Sequence, residues 1–415
     1  MGNSGTPSTS RVPPPRSRRF TGGGPWRPGN RFHLIAVSEQ YFTRMLAAIS
    51  SAQRYVLMEM YLVESGVLTS RFVAALIAAV TRGVKVYMVL DGFGSLGLMT
   101  ADRLRLTEGG VDLRFYNALS WRKKLHNFLR DHRKILVVDG QVAFVGGIGL
   151  TDEFSGDRDK GPPWRDQVVE ILGPVLADWE EAFWRTWRAC GGRVPVPPHD
   201  AATAEREAKT LEGPETAADA QERLGALGRV ALSEAAPSSV LASDVVRRIA
   251  SARERAWIMS AYFVPSRRFR KALRRTARRG VDVRLLVPGP RTDHPWVRDA
   301  ARRFYGKMLR SGVRIFEYQP RVLHGKMTIC DDWVSVGSSN LDRYSFKWNM
   351  EANQEIEDTP FADNAAAVFE QDCRQSEELS SRHWPRRAWL HRLRERIAGA
   401  LDRWIDRWRR PRTRF

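Results

Sequence analysis

The stretch His132-Arg133-Lys134-Ile135-Leu136-Val137-Val138-Asp139 decides the fold of this chain. It has the pattern H-x-K-x-x-x-x-D, which returns much later as His324-Gly325-Lys326-Met327-Thr328-Ile329-Cys330-Asp331. A turn of small residues follows each copy, Gly146-Gly147 in the first case and Gly337-Ser338-Ser339-Asn340 in the second. One copy would mean little, because His, Lys and Asp are common residues. Two copies with identical spacing indicate two halves of one active site.

The residues around the two motifs repeat in the same order. Residues 55–62 correspond to 257–263, and residues 82–86 correspond to 279–283, before each half reaches its histidine motif. Both halves alternate helical and strand patterns, which predicts an α/β fold with a mixed sheet flanked by helices. Because the order is kept over a whole domain, we expect a duplication into two similar domains related by a pseudo-two-fold axis.

Composition divides the chain into segments. A chain of 415 residues exceeds the usual size of a single core, so two domains are expected. The expected segments are a disordered basic tail over 1–28, a first domain over 29–190, a linker over 191–228, a second domain over 229–380 and an amphipathic C-terminal helix over 381–415. That last helix carries apolar residues and Trp on one face and Arg largely elsewhere, which is typical of a helix lying on anionic lipid. Docking on the body of the protein is the alternative.

Charge and cysteine content narrow the classes of protein. The formal charge of +20 predicts a polyanionic partner, either nucleic acid or anionic lipid. The three cysteines form no C-x-x-C pair, which argues against a disulfide framework and against a structural zinc site. No apolar run is long enough to cross a bilayer and the N-terminus has no signal-peptide core, so a membrane contact would be peripheral.

The paired motif carries the chemistry. Side chains two residues apart in a strand face the same way, so His132 and Lys134 share one face, as do His324 and Lys326. An axis that joins the two faces would place two imidazoles and two ammonium groups around one point. Such a site suits a phosphodiester: the lysines neutralise its oxygens, one imidazole attacks phosphorus, and the other protonates the leaving oxygen. Neither a metal nor another cofactor is required, because the lysines supply the positive charge.

Other residues are expected to support this site. The small residues allow the backbone to approach a phosphate, and an amide or hydroxyl can donate to it. The carboxylates after each motif are candidates to orient a histidine and to fix its tautomer. These supporting residues are Gly147, Ser339, Asn340, Asp166 and Glu351.

Asp139 and Asp331 complete the two motifs and are counted here with the catalytic residues. Taken singly, each fits the end of a strand or an ion pair better than a contact with substrate. The remaining histidines are interpreted as structural or surface residues: His33, His126, His199, His294, His383 and His391.

On these residues the chain resembles the phospholipase D superfamily, and within it the shorter bacterial cardiolipin synthases that lack N-terminal transmembrane helices. The resemblance spans roughly residues 29–357 without the linker. It is carried by Arg130-Asp131-His132-Arg133-Lys134 with Asp139 and Gly146-Gly147, by Trp164-Arg165-Asp166 with Gly173-Pro174, by His324-Gly325-Lys326 with Asp331, and by Gly337-Ser338-Ser339-Asn340-Leu341-Asp342-Arg343 with Ser345, Asn349 and Glu351.

This resemblance implies transfer of a phosphatidyl group through a phosphatidyl-histidine intermediate, so that two phosphatidylglycerols give cardiolipin and glycerol. It implies His132 as nucleophile and His324 as general acid and base, an order that the residues alone leave open. Lys134, Lys326 and Asn340 would hold the phosphate. The implied partners are phosphatidylglycerol and other anionic phospholipids, met peripherally on the cytoplasmic side of the bacterial inner membrane.

One position departs from the family. The first motif of the family is followed by Gly-Gly-x-Asn, but here the residues are Gly146-Gly147-Ile148-Gly149. The amide is missing from the first half, so the phosphate would be held asymmetrically.

Two other functions compete. A phosphodiesterase that hydrolyses phospholipid or nucleic acid would use the same residues, and the positive charge also suits DNA. Nucleic acid is disfavoured because nucleases of this superfamily are often single-motif chains that dimerise. A non-catalytic protein that binds anionic lipid is the alternative of another class, and two complete motifs argue against it.

Overall fold

The computed structural model describes residues 23–121, 127–156, 161–194, 225–234, 240–342, 348–384, 393–395, 397–398 and 400. The basic tail, the linker and the C-terminal helix expected from the sequence fall largely outside these ranges. Arg343 and Ser345, which contribute to the resemblance, also lie outside them. Among the described residues, none of the helices combines the length and the apolar character needed to span a bilayer.

The first half of the chain alternates strands and helices. Its elements are β1 (Arg27–Ile35), α1 (Ser38–Ser51), β2 (Tyr55–Met60), α2 (Val67–Thr81), β3 (Lys85–Asp91), α3 (Thr100–Glu108), β4 (Asp112–Tyr116), β5 (Arg130–Asp131), β6 (Lys134–Val138), β7 (Val142–Gly146), α4 (Asp152–Ser155), β8 (Val168–Leu172) and α5 (Leu176–Ala189).

The second half repeats this order. Its elements are β9 (Ala226–Glu234), α6 (Val240–Ser251), β10 (Arg255–Ser260), α7 (Arg267–Arg278), β11 (Asp282–Pro288), α8 (Pro295–Arg302), α9 (Tyr305–Leu309), β12 (Arg314–Tyr318), β13 (Lys326–Cys330), β14 (Trp333–Gly337), β15 (Asn349–Glu357), α10 (Thr359–Arg374) and β16 (Ser376–Glu378).

The strands form one sheet that is symmetric about its middle. The first domain has the order β1-β8-β7-β6-β2-β3-β4, and the second has the corresponding order β9-β15-β14-β13-β10-β11-β12, with β16 added at its edge. In each domain the last three strands of that order are parallel and the others are antiparallel. The predicted α/β fold with two similar mixed-sheet domains is therefore confirmed.

The two domains meet at β1 and β9, which pair antiparallel, as expected for equivalent strands on either side of a two-fold axis. Arg27 lies opposite Gly228, and Asn30 lies opposite Ala226. The first strands of both domains thus begin two or three residues before the proposed boundaries at 29 and 229. The extra residues at the start of β1 and β9 belong to the pairing between these two strands.

A core shared by both domains fixes their relative position. Trp179 and Phe183 of α5 pack in the same buried cluster as Phe369 of α10, between the helices and the sheet. The indole Nε1 of Trp179 also donates to Oε1 of Gln354 in the other domain, over 2.8 Å. Fully buried aromatic side chains leave little freedom for the domains to slide, because protein interiors are close-packed. This rigidity matters because the candidate site is built from both domains.

A buried ion pair spans the same joint. The guanidinium of Arg165 in the first domain holds Asp372 in the second through two bonds, Nε to Oδ1 and Nη2 to Oδ2, both of 2.8 Å. A bidentate pair of this kind fixes orientation as well as distance. Arg165 directly precedes Asp166, so the pair also anchors the segment that carries one of the expected supporting carboxylates.

Candidate active site

A cavity of about 510 Å³ opens where the two domains meet. His132, Lys134, His324 and Asn340 line it, so residues from both motifs reach the same space. The cavity also lies just beyond the carboxyl ends of β2 and β10, where Tyr61 and Tyr262 follow the strands. Such ends are the usual binding positions in sheets with parallel strands.

The two histidines lie just before their strands, and not within them as the spacing suggested. Lys134 begins β6 and Lys326 begins β13, while each histidine is bonded to the opposite domain. The N–H of His132 donates to the carbonyl of Met350 over 3.0 Å. The N–H of His324 donates to the carbonyl of Arg165 over 2.8 Å. The backbone at each histidine is therefore held by the other half of the molecule.

The imidazoles are oriented across the joint in the same way. Nδ1 of His132 lies 3.0 Å from Oε2 of Glu351, and Nδ1 of His324 lies 2.8 Å from Oδ2 of Asp166. When ionised, each carboxylate accepts from Nδ1, which favours the tautomer with the proton on Nδ1 and leaves Nε2 as the basic atom. The sequence suggested both carboxylates as orienting groups without assigning partners. The structure pairs each with the histidine of the other domain.

Electrostatics differ between the two halves. Burial raises the pKa of Glu351 to about 8, against the influence of Lys134 and of the hydroxyl that Ser338 donates. Burial, together with Lys134 and Lys326, holds the pKa of His132 well below its usual range. The pKa of His324 is lowered by burial and by Lys326, while Asp166 acts in the opposite direction. Both imidazoles are thus kept neutral, but only His324 has a carboxylate that counts among the named influences favouring its charged form.

The two lysines are buried beside their histidines. Nζ of Lys134 donates to the carbonyl oxygen of His132, and Nζ of Lys326 donates to that of His324. Nζ of Lys326 also lies 2.9 Å from Nδ1 of His324. Burial lowers the pKa of Lys134 to about 7 and that of Lys326 to about 8. A bound anion would stabilise the charged form of both ammonium groups.

These values make substrate binding dependent on pH. Lys134 and Lys326 are protonated below their pKa values and neutral above them, so their attraction for an anion is lost as the pH rises through about 7 to 8. We expect KM for a phosphodiester lipid to rise by about tenfold per pH unit on the alkaline side. Measurement of KM in neutral detergent micelles from about pH 6 to pH 9 checks this.

Lys326→Arg provides the control, because a guanidinium keeps its charge throughout this range. Its KM should change less steeply with pH, even if its rate is lower. A wild-type KM that stays constant across the whole range would exclude the lysines as the groups that bind the anion.

The small-residue turns place one amide at the cavity. Asn340 lines it and is 2% exposed, and Oδ1 of Asn340 has no hydrogen-bond partner among the described residues. The two ends of an amide are interchangeable by rotation, so Asn340 can offer either a donor or an acceptor to a ligand. Ser339 lies beside it and is held through its N–H, which donates to Oδ1 of Asn353 over 3.2 Å.

Glycine has a different use in the first half. A Cβ at Gly147 would lie 2.5 Å from Oδ2 of Asp166, so the absence of a side chain lets this carboxylate reach His324. Gly149 lines the cavity opposite, and a Cβ there would lie 3.0 Å from the carbonyl oxygen of Leu62. The first half thus has no side chain at the position where the second half has an amide.

We expect Asn340→Ala to lower turnover roughly 10- to 100-fold, because a hydrogen bond to a charged group contributes about 1.5–3 kcal/mol. Gly149→Asn should change turnover by a few-fold at most, since the new side chain must shift slightly against Leu62 but adds no required contact. Steady-state rates of both variants with the same lipid decide the matter. If the two substitutions lower turnover equally and only slightly, Asn340 does not bind the phosphate.

Asp139 and Asp331 have another role. Both end the strands that begin with the lysines, at the opposite end from the cavity. Asp139 accepts from the N–H groups of residues 53, 54 and 55, and Asp331 accepts from those of residues 253, 254 and 255. Both adopt a positive φ, of 56° and 52°. We therefore assign them a structural role, and this placement corrects their inclusion among the catalytic residues.

Several cavity residues were not singled out by sequence reasoning, among them two tyrosines, an aspartate and a histidine. Tyr61 and Tyr262 flank the histidines, with ring centroids 4.7 Å from His132 and 6.1 Å from His324. Asp293 also lines the cavity, as does His294, which the sequence analysis treated as a structural or surface residue. The available signal was their position, because each follows the carboxyl end of a strand that leads to the site.

The described residues contain no group of three or more His, Cys, Asp or Glu side chains that could hold a metal ion. The positive charge offered by the described site comes from its lysines.

This duplicated fold, with a histidine and a lysine from each half at one cavity, defines the class of enzymes that act on phosphodiesters through paired H-x-K motifs. The family model described as "Cardiolipin synthase, PLD-like domain" matches twice, at residues 45–159 and 245–373. The chain therefore belongs to the phospholipase D-like family of cardiolipin synthases, which are phosphatidyltransferases.

Individual relatives agree with this family. Cardiolipin synthase A of Pseudomonas putida is 34% identical over 375 residues, which cover 90% of this chain and 74% of that protein. Cardiolipin synthase B of Escherichia coli is 33% identical over 382 residues, covering 88% of this chain and 86% of the relative. Phosphatidylserine synthase of Haemophilus influenzae has a similar crystal structure, with a TM-score of 0.66, 13% identity and coverage of 90% of this chain and 93% of that one. This last likeness concerns the fold alone.

Proposed function

We propose that the enzyme joins two phosphatidylglycerols into cardiolipin and glycerol by way of a phosphatidyl group on His132. The observation that carries this proposal is the pair of imidazoles at one cavity, each oriented by a carboxylate of the opposite domain. Two imidazoles with different proton affinities can divide the roles of nucleophile and acid, and the two lysines can hold the phosphate between them.

In the first step, Nε2 of His132 attacks phosphorus. A P–N bond forms while the P–O bond to the glycerol head group breaks, and His324 delivers a proton to the departing oxygen. We assign the attack to His132, which burial and the two lysines keep neutral, so that its Nε2 lone pair is available. We assign the proton transfer to His324, because Asp166 stabilises its protonated form and so lets it carry the proton that the departing oxygen needs. Lys134, Lys326 and Asn340 balance and orient the phosphate oxygens.

In the second step, the terminal hydroxyl of another phosphatidylglycerol enters at His324, which now accepts its proton. The hydroxyl oxygen attacks phosphorus, the P–N bond breaks, and His132 returns to the neutral state. Water in place of that hydroxyl would give phosphatidic acid. A high local concentration of lipid at the cavity, relative to water, therefore favours transfer over hydrolysis.

We propose that the protein works peripherally at the cytoplasmic face of the inner membrane. Loops at the carboxyl ends of β3 and β4, and the start of α8, expose large apolar side chains; among them Trp121 is 100% and Met99 is 63% exposed. Phe128 and Trp296 from the same region line the cavity itself. Exposed aromatic and apolar groups at the mouth of a lipid cavity suit insertion into a bilayer surface. The charge of +20 suits an anionic leaflet.

The described part of the C-terminal segment is consistent with that orientation. Glu395 is buried and lies 3.6 Å from Arg302 of α8, so this side of the segment rests on the protein. Leu393 and Ile397, which belong to the predicted apolar face, are 44% and 59% exposed. The two interpretations offered by the sequence are thus compatible: the segment can dock on the body while its apolar face meets lipid.

The proposal is tested by incubating the purified protein with phosphatidylglycerol in mixed micelles, with a chelator present, and analysing the lipids by mass spectrometry. Cardiolipin and free glycerol should appear in equal amounts. Phosphatidic acid alone would identify a hydrolase instead. Cleavage of DNA in a parallel reaction, without any lipid product, would overturn the assignment to lipid chemistry.

A further inference from the structure

The wall of the cavity beside His324 carries a group that the two-histidine chemistry does not use. Tyr262 stands next to His324, and its hydroxyl donates to Oδ2 of Asp293. The ring of Tyr262 also packs 5.2 Å from that of His294. Tyr262, Asp293 and His294 all line the cavity. A polar cluster thus adjoins the histidine to which we assign the proton transfers.

Asp293 is an unusual group to find in a cavity that must bind an anion. Its side chain is 15% exposed, and Nε2 of His294 lies 3.7 Å from its Oδ2. Thr292 donates to Oδ1 over 3.3 Å. A carboxylate has about four acceptor positions, so Asp293 keeps acceptor capacity after bonding Tyr262 and Thr292. Because Asp293 lines the cavity, this remaining capacity faces the space that a ligand enters, where a ligand donor can bond to it.

The sign of the charge limits what can bind there. A second phosphate or carboxylate would be repelled by Asp293. An ammonium head group would be attracted to Asp293 but repelled by Lys326, whose charge Asp293 is close enough to influence. A neutral group with several hydroxyls can donate to Asp293 without either penalty.

The described part of the first domain has no equivalent group. Tyr61 flanks His132 as Tyr262 flanks His324, and Nζ of Lys134 lies 5.1 Å from the centre of its ring. Among the described residues, however, no carboxylate accepts from the hydroxyl of Tyr61. Within the described part of the chain, this acidic group lies only on the side where an alcohol leaves or enters, so the two halves of the cavity are unequal.

We propose that Tyr262, Asp293 and His294 form a subsite for the polyol head group of the alcohol that departs or arrives at His324, with Asp293 accepting hydrogen bonds from its free hydroxyls. This inference rests on the proposed transferase function, since that function places the alcohol at His324. Asp293 is then a determinant of specificity for glycerol-type head groups, and does not take part in bond making.

Asp293→Asn tests the subsite in the full-length protein. Release of the head group is measured from phosphatidylglycerol and from phosphatidylmethanol, whose head group has no free hydroxyl. We expect kcat/KM to fall about 10- to 100-fold for phosphatidylglycerol, as for loss of a hydrogen bond to a charged group. It should change less than about threefold for phosphatidylmethanol. The second donor also shows that the variant is folded. Asp363→Asn, which alters an exposed carboxylate on α10, is the matched control and should leave both donors unaffected.

Each other outcome overturns the subsite. An equal loss on both donors would make Asp293 a general support of the site, and no loss on either would remove it from substrate binding. A larger loss on phosphatidylethanolamine than on phosphatidylglycerol would identify an ammonium subsite instead. Failure of the wild-type protein to form cardiolipin counts against the proposed function. Cardiolipin formation by the wild type with an unchanged donor ratio in Asp293→Asn counts against the subsite alone.

Discussion

His132→Ala is expected to lower cardiolipin formation by about 10⁴-fold or more, because removal of a nucleophile leaves only the binding and electrostatic contributions of the site. The structure gives a reason for the size of this effect. His132 is buried, its backbone is bonded to Met350, and Nδ1 faces Glu351, so no other described side chain can take its place in that geometry. Cardiolipin is measured by mass spectrometry over several hours.

The control is His33→Ala, which removes a histidine whose side chain is 50% exposed on β1. This variant should keep its activity within about twofold, as is usual for surface changes. If His132→Ala retained near-normal activity, the model of one site shared by two motifs would fail. If His132→Ala binds lipid with wild-type affinity but forms no product, the shared-site model is supported.

His324→Ala is expected to lower cardiolipin formation by about 10²- to 10⁴-fold, the range for loss of a general acid and base. Its effect should depend on the leaving group, which separates it from His132→Ala. A p-nitrophenyl ester of phosphatidic acid needs no proton on departure. With this donor, His324→Ala should release one equivalent of p-nitrophenol in a burst and then stall, because no base remains to activate the acceptor.

The stalled state should be visible directly. Digestion and mass spectrometry of His324→Ala after the burst should find a phosphatidyl group on the peptide that contains His132. The same experiment with His132→Ala should give neither a burst nor a modified peptide. If instead His132→Ala showed the burst and the label appeared on His324, the two roles would be reversed. That result would leave the shared site intact while changing the order that we propose.

Much of the fold could be predicted because it depends on local and repeated patterns. The run from Ile135 to Val138 is wholly apolar, as a central strand covered on both faces must be. The repeated order of helices and strands then predicts two equivalent domains, and the strand order confirms this. The prediction that the histidines lie within the strands was wrong, because the strands begin two residues later, at Lys134 and Lys326. The histidines precede β6 and β13 because bonds to the opposite domain, which are not encoded in local spacing, take the place of ladder bonds.

The supporting residues show the same division. Asp166 and Glu351 could be recognised as carboxylates that follow a motif, but their partners could not be assigned. Asp139 and Asp331 belong to the motif by spacing, yet they bond backbone N–H groups far from the cavity. A short pattern records which residues occur together, and does not distinguish a group that contacts substrate from one that holds a turn.

The sequence by itself determined the chemistry: two H-x-K-x-x-x-x-D motifs in a duplicated α/β chain require paired imidazoles and ammonium groups for a phosphodiester. The tertiary structure alone decided how these groups differ. It pairs His132 with Glu351 and His324 with Asp166 across the joint, and it places Asp293 on one side only. Those differences arise from burial and from contacts between residues distant in sequence, because pKa values and orientation depend on the surroundings of a side chain. The first motif is therefore a partner of the second, and not a copy of it.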